Sequence, residues 1–158
     1  MKTDGAAPTP EALLRAWIAR LEPATQKLAR SVRAALRRRL PTANELAYDC
    51  RTFVVVAYAA SDRGIDGVVS FAARPDGVRL YFNQGPHLPD PKGLLLGSGK
   101  QTRYVRVESG RQLAHPDVIA LVGAAVAQAS VPLPARGRGK LLIKTSAGKA
   151  RSRRTTAR

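Results

Sequence analysis

Residues 68–82 read VVSFAARPDGVRLYF, two apolar runs joined by a short turn sequence. Both runs are rich in β-branched and aromatic residues, which favour strands. Between them, Pro75 fixes its own φ and Gly77 is free to adopt a positive φ, so the chain can reverse tightly. Residues 68–74 and 78–82 are therefore predicted to form an antiparallel hairpin.

Further stretches of strand character lie on both sides of this hairpin. Residues 53–58 precede it, and residues 103–108 follow it with alternating apolar and polar side chains. A segment rich in Gly, Pro and Leu, residues 84–100, indicates a structured loop between them. Residues 141–144 are a candidate for a last short strand. The short connections predict a meander-like antiparallel sheet.

Three helices are predicted around the strands. The first helix is predicted to begin at residues 9–11, which supply a capping threonine, a proline and an early acid. Trp17 lies on its apolar face. The second runs from near Pro23 to Pro41, and an alanine-rich third begins at Pro116. The pattern predicts an α+β fold of two layers, with an antiparallel sheet packed against two N-terminal helices and one C-terminal helix.

The chain length predicts one domain. With 158 residues and 44% hydrophobic content, the chain can close a single core. We expect residues 9–147 to form this domain, with Trp17 and Phe82 in its core. Residues 1–8 are expected to be a flexible N-terminus, and residues 148–158, which lack apolar periodicity, a basic disordered tail.

Several protein classes are excluded by composition. Cys50 is the only cysteine, so no intramolecular disulfide forms, and with two histidines it cannot complete a Cys/His zinc site. The N-terminus lacks the apolar run of a signal peptide. Residues 118–135 are uncharged but contain two prolines and many alanines, which favours a buried helix over a membrane span. We therefore expect a cytoplasmic protein with no membrane partner.

The basic excess is large and uneven. The chain has 27 Lys and Arg against 11 Asp and Glu, and residues 118–158 carry nine basic side chains and no acidic one. Cations also lie opposite the apolar stripe of the second helix. Such surfaces attract nucleic acid and other polyanions through counterion release. The candidate polyanion-binding residues are Lys27, Arg30, Arg33, Arg37 and Arg38 on the helix and Lys149, Arg151, Arg153 and Arg154 in the tail.

A second candidate binding surface lies on the predicted sheet. Alternation in residues 78–82 and 103–108 places Arg and Tyr side chains on the face opposite to Val and Leu. On neighbouring strands they would form a cationic aromatic platform able to stack bases or hold a small anion. An open sheet face also carries such residues without any ligand. The candidate ligand-binding residues are Arg79, Tyr81, Tyr104 and Arg106, with Lys100 from the preceding loop.

Signals for catalysis are weak. The sequence GSGK at 97–100 lacks the Walker A spacing, because Leu94 and Gln101 replace the required glycine and hydroxyl residues. Cys50 has Arg51 beside it but no identified base. No catalytic residue, metal site or cofactor is predicted, so a non-enzymatic binding module is favoured over an undetected enzyme.

Three segments carry a family resemblance: PTANELAYD at 41–49, LPDPKGLLLGSGK at 88–100 and GRGKLLIKTSA at 137–147. Together they resemble the bacterial YdhG-like domain of unknown function, over most of the chain from about Glu11. The resemblance implies an α+β domain with an antiparallel sheet packed on helices, but no settled activity. Some relatives look frataxin-like in architecture and have been proposed as iron chaperones.

The charge pattern does not favour iron binding. Hard iron ions prefer carboxylate oxygen, so a frataxin-like chaperone relies on an acidic face. The sequence has Asp62 and Asp66 in one loop and Glu45 and Asp49 in another, whereas its predicted helices are basic. The leading hypothesis is therefore a binding module for an anionic partner, either nucleic acid or a small anionic ligand. A frataxin-like iron-binding protein is the alternative.

Overall fold

The computed structural model describes residues 7–144. Predictions for residues 1–6 and 145–158 lie outside the described residues, including those for the tail candidates Lys149, Arg151, Arg153 and Arg154. Between residues 7 and 144 the helices are α1 (Pro10–Ile18), α2 (Pro23–Arg39) and α3 (Pro116–Ala127). The strands are β1 (Asn44–Asp49), β2 (Val54–Ala59), β3 (Gly67–Arg74), β4 (Gly77–Phe82), β5 (Arg103–Val107) and β6 (Leu141–Lys144).

These strands form one sheet in the order β5-β4-β3-β2-β1-β6. β1 to β5 run antiparallel as a meander, so the predicted α+β fold is confirmed. Two features differ from the prediction. β6 pairs with β1 in parallel, and β1 was not predicted as a strand. In its sequence, NELAYD, the buried residue Glu45 occupies a position on the core side of the strand. A charged residue thus interrupts the apolar alternation that predicts a strand.

The predicted hairpin is present as β3 and β4. Ala73 pairs with Val78 and Arg74 pairs with Gly77. Gly77 has φ +130°, a backbone region that favours glycine, and it begins β4 directly after the turn. The turn therefore fixes which side chains of the two strands face the helices.

Local signals explain where the helices begin. The Thr9 hydroxyl accepts a hydrogen bond from the Ala12 N–H at 3.1 Å, as expected for the cap of α1. His115 acts in the same way for α3, where Nδ1 accepts from the Asp117 N–H at 3.1 Å. A proline occupies the first position of each helix, where its missing N–H has no cost. His115 is therefore a helix cap, in agreement with its predicted place at a helix entry.

All three helices contribute to one core on one face of the sheet. Val32 of α2 and Leu121 of α3 belong to the same buried cluster as Phe71 and Phe82 of the sheet. Phe82 is a core residue as predicted, whereas Trp17 is half-buried and packs against the margin of the core. Between residues 7 and 144, none of the helices combines the length and apolar character that a membrane crossing requires.

The opposite face of the sheet has a second, smaller apolar cluster. Leu46, Ala57 and Ala59 form it, with Tyr48 and Leu142 packed against them. None of these residues is in a helix. We call this side of the sheet, opposite to the three helices, the open face. The candidate site lies on it.

Replacing Phe82 with alanine should destabilise the protein strongly. Phe82 has no exposed surface, and truncation of a buried aromatic ring costs roughly 3 to 5 kcal/mol. The measurement is the free energy of unfolding in urea. Ile65→Ala is the control, because Ile65 is 78% exposed and its truncation should change stability by no more than about 0.5 kcal/mol. Equal losses for both variants would contradict the assigned faces.

Candidate functional site

The predicted cationic aromatic platform is assembled on the open face. β4 pairs with β5 so that Arg79 lies directly opposite Arg106, and Tyr81 lies directly opposite Tyr104. Side chains directly opposite each other on antiparallel strands point to the same face and interact. The expected juxtaposition is therefore confirmed, and its ligand remains a prediction.

Arg79 is held in place by both tyrosines. Its guanidinium carbon lies 4.7 Å from the centroid of the Tyr104 ring, and its Nη1 donates to the Tyr81 hydroxyl at 3.3 Å. The two rings lie 5.4 Å apart at 46°. The hydrogen bond to Tyr81 is the main cause that raises the pKa of Arg79, so the group stays charged. The platform thus presents an oriented cation backed by an aromatic ring.

Tyr104 serves mainly as the support of the platform. Its backbone exchanges hydrogen bonds with Leu96, at 2.7 and 3.1 Å. Gly97 adopts φ +99° beside the Tyr104 ring, where an added Cβ would lie 3.3 Å from the ring. Arg106 differs because its side chain is exposed and makes no ion pair with any described residue. The Arg106 charge is therefore available to a ligand.

A groove of about 920 Å³ lies over the middle of the same face. From the sheet it is lined by the small side chains of Ala57 and Ser70, which pair across β2 and β3, and by Val55. Tyr48 and Phe53 line it from the side of β1 and β2. The loop after β4 lines it with Gln84, His87, Lys100, Gln101 and Thr102. Lys100, a predicted ligand-binding residue, is thus a groove residue and does not line the platform.

The loop that carries Lys100 is anchored, as the sequence predicted for a structured loop. At its start, the Gly85 N–H donates to the Gln101 carbonyl at 3.3 Å. In its middle, the Asp90 carboxylate accepts from the N–H groups of Leu94 and Leu95 at 2.8 and 2.9 Å. The loop therefore forms a fixed wall of the groove.

Arg33 departs from its predicted role. It was expected on the exposed basic face of α2, but its side chain is only 14% exposed and turns toward the sheet. Its Nε and Nη2 donate to Glu45 at 2.9 and 2.8 Å, and its Nη groups also bind Glu11. The expectation of an exposed Arg33 is wrong, because two carboxylates draw this guanidinium inward and satisfy it.

The Glu45 carboxylate is the centre of this buried polar cluster. It accepts a third hydrogen bond from the Tyr58 hydroxyl at 2.7 Å. Burial, and then the negative charge of Glu45, raise the pKa of Tyr58 well above its usual value. Burial alone would lower the pKa of Arg33, but the hydrogen bonds to Glu45 and Glu11 raise it. Arg33 therefore stays charged and Tyr58 stays neutral.

The other helix candidates remain exposed. Lys27, Arg30 and Arg38 make no ion pair with any described residue, and Arg37 reaches only to 3.8 Å from Glu45. These four cations can meet a polyanion, whereas Arg33 cannot do so without leaving its carboxylates. The exposed basic face of α2 thus contains four of the five predicted cations and lacks Arg33.

The carboxylates considered for iron do not come together. Asp49 binds Arg20 at 2.6 Å, and Asp66 accepts from the Ser61 hydroxyl at 2.7 Å. Between residues 7 and 144, no three His, Cys, Asp or Glu side chains are grouped so that they could hold a metal ion. The iron-binding alternative therefore has no supporting observation in this part of the chain.

Comparison of the chain with protein-family models, curated proteins and solved structures gives no match. The YdhG-like resemblance therefore stays a prediction.

Arg33→Gln should destabilise the fold, although it lies among exposed helix cations in the sequence. Removing one partner of a buried ion pair leaves the other charge uncompensated, which should cost about 3 kcal/mol here. The measurement is the free energy of unfolding in urea. Arg30→Gln removes the same charge from an exposed position of the same helix and should change stability by no more than about 0.5 kcal/mol. Similar stability of the two variants would refute the role of the buried pair.

Stability should decline in alkali partly because of Tyr58. An unfolded tyrosine ionises near pH 10, whereas the folded state keeps Tyr58 neutral to higher pH. The contribution is fully present below pH 10 and is lost at about 1.4 kcal/mol per pH unit as pH rises between the unfolded and folded pKa values. Urea unfolding at a series of pH values should show a shallower decline for Tyr58→Phe. Parallel curves for wild type and variant would be inconsistent with this assignment.

Proposed function

We propose that the protein binds single-stranded nucleic acid on the open face of its sheet. One observation carries the proposal: Arg79 stacks on Tyr104 and bonds to Tyr81, with the exposed Arg106 directly opposite it. Planar groups and fixed positive charge are combined there on one surface. Proteins that bind single strands without sequence preference use this combination.

Base stacking is the first component of the proposed interaction. Unpaired bases stack on aromatic rings and on guanidinium planes. The Arg79 guanidinium is backed on one side by Tyr104 and lies 3.7 Å from Asp76, and 24% of the Arg79 side chain is exposed. The Tyr81 ring is half-buried beside it. Stacking of this kind contributes about 1 to 3 kcal/mol per base. It requires bases outside a duplex, which is why a single strand is proposed.

Phosphate attraction is the second component. Arg106 in the platform and Lys100 in the groove lining are both exposed cations. Each phosphate neutralised on a single strand contributes a slope of about −0.7 in log K against log salt. Binding should therefore be sequence-tolerant and strongly dependent on salt.

The test is fluorescence anisotropy of a labelled oligothymidylate with the full chain across a salt series. Tyr81→Ala should weaken binding by about 5-fold to 150-fold, which is the equivalent of 1 to 3 kcal/mol. Arg106→Gln should reduce the salt slope by about 0.7. Because every variant keeps the basic tail, its contribution cancels in these comparisons.

The control variant is Arg111→Gln. Arg111 is exposed and lies in the short helix Gly110–Ala114, which packs against α2 away from the open face. Arg111→Gln removes the same charge as Arg106→Gln and should leave the salt slope unchanged. If Arg106→Gln and Arg111→Gln lower the salt slope equally, binding depends on the net charge of the protein and not on the open face. Binding of mononucleotides but not of longer strands would instead identify the groove as a small-ligand site.

A further inference from the structure

A second cavity, of about 490 Å³, lies on the helix-covered side of the sheet at the end of α2. Arg37 and Arg38 line it from the last turn of that helix, and Arg138 lines it from the segment before β6. Glu45 and Tyr58 of the buried polar cluster lie at its inner wall. We call it the arginine cavity, and we propose that it binds a small phosphorylated molecule.

Arg138 is held at this position by its neighbours in the chain. The Gly139 N–H donates to the Pro41 carbonyl at 2.9 Å, and the Lys140 N–H donates to the Asn44 side-chain oxygen at 2.9 Å. A Cβ at Gly139 would overlap the Ala43 carbonyl, so the backbone approaches as closely as glycine permits. The segment is thus fixed against the end of α2, and Arg138 is brought to the cavity.

The helix dipole explains only part of this charge. Cations in the last turn of a helix are favourable there, which accounts for Arg37 and Arg38. It does not account for Arg138, which comes from a distant part of the chain. Neither Arg38 nor Arg138 makes an ion pair with any residue that the structure describes. Like charges around one cavity repel each other, and a bound anion would relieve that repulsion.

The single carboxylate at the cavity does not cancel this charge. Glu45 is already satisfied by two donors of Arg33 and by the Tyr58 hydroxyl. Arg37 approaches it only to 3.8 Å. Carboxylates therefore leave most of the positive charge of the three cavity arginines uncompensated, and this charge can attract an anionic ligand.

The residue types and the volume indicate the ligand class. The planar fork of a guanidinium matches phosphate oxygens with two parallel hydrogen bonds. A volume of about 490 Å³ lies within the range of small-molecule sites, roughly 300 to 1,000 Å³. Ala34, Leu40 and Ala43 add apolar surface to the lining. The cavity therefore has room for a phosphate and for an organic group beside it.

The test is isothermal titration of the full chain with pyrophosphate. We expect saturable one-to-one binding that Arg138→Gln weakens at least tenfold. Arg138→Lys, which keeps the charge but loses the planar fork, should also weaken it. The controls are Arg136→Gln in the same segment and Arg39→Gln in the same helical turn, since both residues are exposed and neither lines the cavity.

The outcomes separate this site from the open face. Failure to saturate, or equal losses for Arg138→Gln and Arg136→Gln, would overturn the proposal. Arg106→Gln should leave pyrophosphate affinity unchanged, and Arg138→Gln should leave the effect of Tyr81→Ala on oligonucleotide binding unchanged. Loss of pyrophosphate binding in Arg106→Gln would also overturn it, because that result would place the anion on the open face.

Discussion

The buried pair of Arg33 and Glu45 is the interaction on which the arrangement of layers depends. It connects α2 to β1, and through Glu11 and Tyr58 it also reaches α1 and β2. A carboxylate in this position is unfavourable without its partners, so α2 must cross the sheet where its arginine can meet Glu45. That crossing also determines where the last turn of α2 lies, and hence where Arg37 and Arg38 face the segment before β6.

The two faces of the sheet follow from a single choice of register in β3 and β4. When Leu80 and Phe82 are buried under the helices, alternation places Arg79 and Tyr81 on the other face. A shift by one residue would exchange the two sets and expose the core. The large apolar side chains therefore specify the platform indirectly, because they leave only one register in which the core is closed.

The sequence predicted those features that depend on local pattern. The hairpin, the three helices and the shared face of Arg79, Tyr81, Tyr104 and Arg106 all follow from alternation, helical periodicity and turn residues. Features that depend on distant partners were missed. β1 was not predicted because Glu45 interrupts its apolar pattern, and Arg33 was assigned to solvent because its partner was not known to be buried. The groove has a weak signal in the small residues Ala57 and Ser70 that line it, but the sequence alone does not show that these two residues pair across neighbouring strands.

The parallel pairing of β6 with β1 joins parts of the chain that are about 96 residues apart, as the contact between Lys140 and Asn44 shows. Contacts of such long range carry a larger loop-closure entropy cost than the pairing of neighbouring strands, which slows their formation. An edge strand of four residues is also among the first elements to open in local unfolding. Because Arg138 directly precedes this strand, detachment of β6 would dismantle the arginine cavity while leaving the meander and its open face in place. The arginine cavity and the open face can thus be lost in separate unfolding steps. Amide hydrogen exchange in residues 141–144 would report on the arginine cavity alone.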